Sequence, residues 1–171
     1  MKPVLLLLVL VALATGSALA DVPAEALRLA AAGQPAAALN AVDEALKGKP
    51  RDAELRFIRG VLLVDLGDRE AARQTFTALS QEYPELPDPL NNLAVLQAAE
   101  GDLDSARVLL ERALRNNPRH KAARENLGDV FLQLAIRQWQ SIADEARPEP
   151  LLARKLLLAR ELAAITTGKL P

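Results

Sequence analysis

A repeat with a period of 34 residues constrains this chain more than any other feature. Gly67-Asp68 returns as Gly101-Asp102, Ala72 as Ala106, Phe76 as Leu110 and Pro84 as Pro118. Upstream, Gly33, Ala38, Val42 and Pro50 stand 34 residues before Gly67, Ala72, Phe76 and Pro84. A fixed period of roughly 20 to 50 residues marks an array whose units bury their apolar faces only against their neighbours. The chain must therefore fold as a stack, with units over about 21–51, 52–85 and 86–119 and a divergent fourth over 120–147.

Each unit reads as two helices. Half of the residues are apolar and only 3% are aromatic, a balance that favours helices over a sheet. Apolar positions recur at helical spacing over about 24–32 and 36–46, then 53–66 and 69–81, then 90–100 and 103–116. Gly67 and Gly101 can take the left-handed conformation that stops a helix. Asp68 and Asp102 can then accept the orphan amides that start the next one. Asp52 and Asp88-Pro89 are the expected openings of the second and third units. Ala38, Ala72 and Ala106 let helix backbones approach closely, as Gly60, Ala94 and Gly128 do from the first helix of each pair. Val42, Phe76 and Leu110 fill the gaps, each stabilising by roughly 1.5–3 kcal/mol when buried.

The fourth unit departs from the rule. Ala135 replaces the stop glycine, and no Gly or Pro lies between Asp129 and Arg147. The spacing predicts one long helix over 121–146, with a tight turn near Ala135 as the alternative. Pro148-Glu149-Pro150 breaks it, and a last helix follows over 151–165 within a C-terminal segment, 148–171. Its Leu151, Leu152, Leu156, Leu157 and Leu158 are too many for one buried side. They are expected to cap the open end of the stack, the alternatives being that they pair with a second copy of the chain or fold into the groove. Trp139 is expected to pack between the long helix and the last one.

Residues 1–20 read as a leader. Lys2 precedes an unbroken apolar run, Val4 to Ala14, and Ala18-Leu19-Ala20 offers a small-x-small cleavage site. Cleavage after Ala20 and a periplasmic or secreted location are expected, the alternative being an uncleaved N-terminal membrane anchor. There is no cysteine, which excludes disulfides, thiolate metal sites and a lipid-anchored cysteine. Net charge is −1, and without Lys2 the 20 basic and 22 acidic residues give −2. Neither the basic footprint of a nucleic-acid binder nor a polybasic membrane patch is present. No membrane contact is expected after cleavage.

The 34-residue helix–turn–helix unit resembles the tetratricopeptide repeat. The hallmark small and large positions are met by Leu93-Ala94, Leu127-Gly128, Ala72, Ala106, Phe76, Leu110, Pro84 and Pro118. The pattern departs at Arg59, where that family prefers Leu, and lacks its first-helix tryptophan. The chain looks like the small exported bacterial members that serve as periplasmic adaptors. The resemblance implies an all-α, right-handed superhelix whose concave face binds an extended peptide or a partner helix. It implies groove positions at Phe57, Val61 and Asp65, then Asn91, Asn92, Val95 and Ala98, then Glu125, Asn126, Asp129, Leu132 and Gln133. Asn92 and Asn126 stand 34 apart, and their amides can each donate and accept toward a peptide backbone. The family's basic clamp for a terminal carboxylate is not matched.

Arg56, Arg59 and Arg124 are expected in surface ion pairs with residues such as Glu54 and Glu125. His120 is the lone histidine and has no companion ligands, so neither a metal nor a cofactor is expected. No nucleophile, phosphate loop or metalloprotease motif is present, so no catalytic residue is assigned. The residues point to a non-enzymatic module that binds a protein or peptide, an adaptor or assembly factor. The alternative is a self-associating subunit, a homodimer formed through the Leu-rich last helix.

Overall fold

The computed structural model describes residues 22–145 and 149–166. The expected leader over 1–20 and the tail over 167–171 lie outside the described residues. These form α1 (Val22–Ala31), α2 (Pro35–Gly48), α3 (Ala53–Asp65), α4 (Arg69–Glu82), α5 (Pro87–Ala99), α6 (Leu103–Asn116), α7 (Lys121–Glu145) and α8 (Pro150–Thr166), with no strand among them. Each helix packs on the next, and α1 also meets α3 while α5 meets α7. This is the connectivity of a solenoid of antiparallel helix pairs.

The hand-over inside each pair follows from one device. Gly33, Gly67 and Gly101 take φ of 73°, 82° and 88°, a region that costs glycine little. The next residue then reaches back five positions. Gln34, Asp68 and Asp102 donate their N–H groups to Leu29, Leu63 and Gln97 at 2.9, 2.9 and 3.0 Å, closing the orphan carbonyls of the first helix. The Asp68 and Asp102 carboxylates accept the Ala71 and Ser105 amides, each at 3.1 Å, and start the second helix. Asp52 opens α3 in the same way through Leu55. At Ala135 the device is missing, and α7 runs 25 residues without a break.

The third unit opens differently from the expectation. Its helix begins at Pro87 with Leu86 as an extended N-cap, so Asp88 lies inside the first turn rather than capping it. Pro87 causes the shift. Its fixed φ suits the first helical position, and it holds Leu86 at ψ 122°, outside the helical region.

The small residues perform as spaced, with one exception. Ala38, Ala72, Ala94 and Ala106 are fully buried. A Cβ at Gly60 would lie 2.5 Å from Cε1 of the buried Phe76, so α3 and α4 approach closely only because that position is bare. Gly128 makes no such approach. A Cβ there would meet nothing within 4 Å, because α7 continues and no second helix folds back over it.

Hydrogen bonds 32 residues apart tie the units together. Tyr83 Oη donates to Arg51 O at 2.8 Å, and Asn116 Nδ2 donates to Pro84 O at 2.7 Å. His120 Nε2 meets Asp88 Oδ1 at 3.0 Å while its Nδ1 accepts the Ala123 amide at 3.0 Å. The lone histidine is thus the cap of α7. Arg59 explains itself in the same way. Its Nε donates to Asp43 Oδ1 at 2.7 Å and its guanidinium also reaches Thr75 Oγ1 at 3.2 Å, so it joins α2, α3 and α4. Arg56 pairs with Glu82 rather than with Glu54, because the facing helix offers a carboxylate across the groove of packing. Beyond α7, α8 buries Leu156 and Ala159, and Lys155 Nζ sits 5.8 Å above the Trp139 ring.

Candidate functional groove

The unit boundary between α5 and α7 leaves an open groove of about 660 Å³. Ala94, Val95, Ala98 and Ala99 supply one wall, and Asn126, Asp129, Val130 and Gln133 supply the other. Leu110 lies beneath, and Arg69, first residue of α4, closes one side. The groove exists because three of the four α5 residues are alanines. The floor is apolar, with Ala94, Leu110 and Val130 buried, while Val95 is 45% exposed.

Polar groups are spaced along the α7 wall. Asn126 Nδ2 donates to Asn91 Oδ1 at 2.9 Å. Asn91 is only 7% exposed, so a buried amide fixes the orientation of the one in the groove, which a buried polar group must do to be satisfied. Among the described residues no hydrogen bond is made to the Asn126 side-chain oxygen. Asp129 is half-buried. Burial, and then the nearby Glu125 carboxylate, push its carboxyl above the ordinary range. Among the described residues neither Asp129 nor Arg69 makes an ion pair. Among the same residues no three His, Cys, Asp or Glu side chains gather into a metal site, and no helix is long and apolar enough to cross a membrane.

Of the positions singled out in the sequence, Val95, Ala98, Asn126, Asp129 and Gln133 line this one groove. Asn91 lies below it. Asn92, expected beside Asn126 in the groove, is not among the residues lining it; its Nδ2 donates to the Asp88 main-chain oxygen one turn back at 3.0 Å. The ladder between neighbouring helices is thus staggered by one residue, Asn91 to Asn126. Phe57 and Val61 are half-buried in the core between α3 and α4, and Phe57 lies 5.8 Å from the Phe76 ring. Arg69 and Ala99 were not expected at the site. Reasoning from the first helix of each pair overlooks Arg69, since it belongs to a second helix. The Asp68 cap that fixes the start of α4 is the signal that places it.

The profile of the tetratricopeptide repeat matches residues 24–87 and 91–150. This chain is a tetratricopeptide-repeat protein. The chain is 34% identical over 97 residues to human protein O-mannosyl-transferase TMTC1, covering 54% of this chain and 11% of that protein. It is 36% identical over 88 residues to the probable biofilm formation methyltransferase WspC of Pseudomonas putida, 52% of this chain and 21% of that one. The chain therefore spans a tenth to a fifth of these two relatives. Among solved structures, YrrB, described as a tetratricopeptide-repeat protein with an unusual peptide-binding site, superposes with a TM-score of 0.56 at 26% identity, over 61% of this chain and 54% of its own. Neighbours of this fold bind peptides, and repeats of this family are protein-interaction modules.

Proposed function

We propose that this tetratricopeptide-repeat protein is a non-enzymatic binding module, exported to the periplasm or beyond the cell. It holds an extended segment of a partner protein in the α5–α7 groove, as an adaptor or assembly factor. The observation that carries this reading is the spacing of the α7 wall. Asn126 and Gln133 are seven residues apart on one helix face, about 10.5 Å at the helical rise. That is about three residues of extended chain at 3.3 Å each. A polyproline II main chain, with three residues per turn at 3.1 Å each, repeats its polar groups in one direction at about 9.3 Å, so two amides at this spacing can meet an extended chain of that kind twice, while Val95, Ala98 and Val130 take the side chains between them. The leader composition of residues 1–20 supports export, and the peptide-binding description of YrrB supports the ligand class.

Display of random peptides against the immobilised full chain, followed by titration of the selected peptides, tests this. Val95→Arg fills the groove and is expected to weaken binding at least tenfold with helicity unchanged. Val108→Arg alters α6, whose Val108 is 51% exposed against 45% for Val95, and should leave affinity as it was. Peptides that lose binding on Val108→Arg and not on Val95→Arg would move the site to the other face.

A further inference from the structure

The last helix carries a second interaction surface. Leu151, Leu158 and Ile165 recur every seven residues and are 65%, 51% and 61% exposed. Leu162, 51% exposed, falls on the same side of the helix. The stripe lies away from Leu156 and Ala159, which face α7, so it is distinct from the capping contact. Isolated exposed leucines are ordinary, but a continuous stripe along about 21 Å of helix marks an interaction site.

The charges beside the stripe say what covers it. Lys155 is engaged above Trp139, and Arg160 donates to Gln140. Arg154 and Glu161 are exposed and fall, at helical spacing, on the side of α8 opposite Leu156 and Ala159, and among the described residues neither has an ion-pair partner. Seven residues apart, they cannot reach each other along one helix, since only neighbours three or four apart meet. The pattern is nevertheless self-complementary. Placing a second α8 antiparallel across the stripe, with the two-fold axis at Leu158, puts Leu151 opposite Ile165 of the partner subunit. The same axis keeps flank with like flank, so Arg154 comes within one residue, about 1.5 Å along the helix, of the level of Glu161 of the partner subunit, twice by symmetry. A two-fold interface requires this kind of self-match, one patch serving both sides.

The geometry points to a homodimer of this chain, formed by antiparallel pairing of α8 through its leucine stripe and two reciprocal Arg154–Glu161 ion pairs. No residue of α8 lines the α5–α7 groove, so the pairing uses a surface separate from it. It does not depend on what the groove binds.

Sedimentation equilibrium of the full chain, from micromolar to near-millimolar concentration, is the test. The wild type is expected at twice the chain mass, and Leu158→Glu at the chain mass with unchanged helicity. Arg154→Glu alone and Glu161→Arg alone each set like charges face to face twice. Each should raise the dissociation constant about tenfold, the factor that 1.4 kcal/mol gives. The double variant Arg154→Glu/Glu161→Arg regains the wild-type value, and an equimolar mixture of the two single variants forms a heterodimer tighter than either homodimer. A wild-type chain that stays monomeric overturns the proposal and leaves the stripe to the apolar run over 4–14 or to a foreign partner. A dimer untouched by Leu158→Glu overturns the surface. A double variant that fails to recover overturns the antiparallel register.

Discussion

Adding one methyl group at two equivalent positions should have opposite effects. Gly60 and Gly128 lie two periods apart, each in the first helix of its pair. In a helix interior alanine is favoured over glycine by about 1 kcal/mol. At Gly128 nothing stands within 4 Å of the new Cβ, so Gly128→Ala should keep most of that gain. At Gly60 the same carbon would sit 2.5 and 2.7 Å from Cε1 and Cζ of Phe76. That ring is fully buried and held against Phe57, so it has nowhere to turn. Overpacking of this kind costs about 1–3 kcal/mol. Offset by the helix gain, Gly60→Ala should destabilise by up to about 2 kcal/mol, and the two variants should differ by about 1–3 kcal/mol. Urea unfolding followed by far-UV circular dichroism reads this. With a slope near 1–3 kcal/mol per molar, the midpoints should separate by about 1 M. In a Phe76→Leu background the Gly60→Ala penalty should shrink, which a double-mutant cycle isolates. If Gly60→Ala stabilises as much as Gly128→Ala, the close approach of α3 and α4 is wrong, and so is the reasoning that one repeat position means two things.

Other substitutions test other parts of the account. Ala72→Leu and Ala106→Leu each force a leucine into a fully buried alanine site and should each cost about 1–3 kcal/mol in unfolding free energy; neutrality of both would refute the repeat register. His120→Ala removes the side chain that accepts the Ala123 amide and meets Asp88, and should cost about 1 kcal/mol, whereas His120→Asn, able to cap, should recover part of it. Asp129 is held above the ordinary carboxylate range by burial, so the folded chain binds that proton more tightly than the unfolded one. Its contribution favours folding at acid pH and is lost as pH rises through the raised value. Asp129→Asn should therefore raise stability slightly at neutral pH, with the gain fading as pH falls below the carboxylate range.

The stacking of helix pairs was legible because its determinants are local. A glycine that must take positive φ, followed by an aspartate that can cap, specifies a corner without help from the rest of the chain. The same reasoning read α7 correctly, since the device is missing at Ala135. Pro87 hid the start of α5, because Asp88-Pro89 offers an equally good local cap and only the competing proline decides between them. The groove was half legible. Period 34 places Asn92 and Asn126 at equivalent backbone positions, but hydrogen bonding between neighbouring helices is set by side-chain direction and stagger, and it joins Asn91 to Asn126. Phe57 occupies the position of Asn91 one unit earlier, yet a ring beside Phe76 packs inward where an amide bonds sideways. Arg69 and the ion-pair partners of Arg56 and Arg59 depend on contacts between separate helices, which no periodicity encodes.

The central claim is that the α5–α7 groove receives an extended peptide. Hydrogen–deuterium exchange of the full chain, with and without a display-selected peptide, tests it most directly. Slowed exchange confined to the helix segments around 94–99 and 126–133 is the predicted result. Protection centred on α6 or α8, with those two segments unchanged, would contradict it.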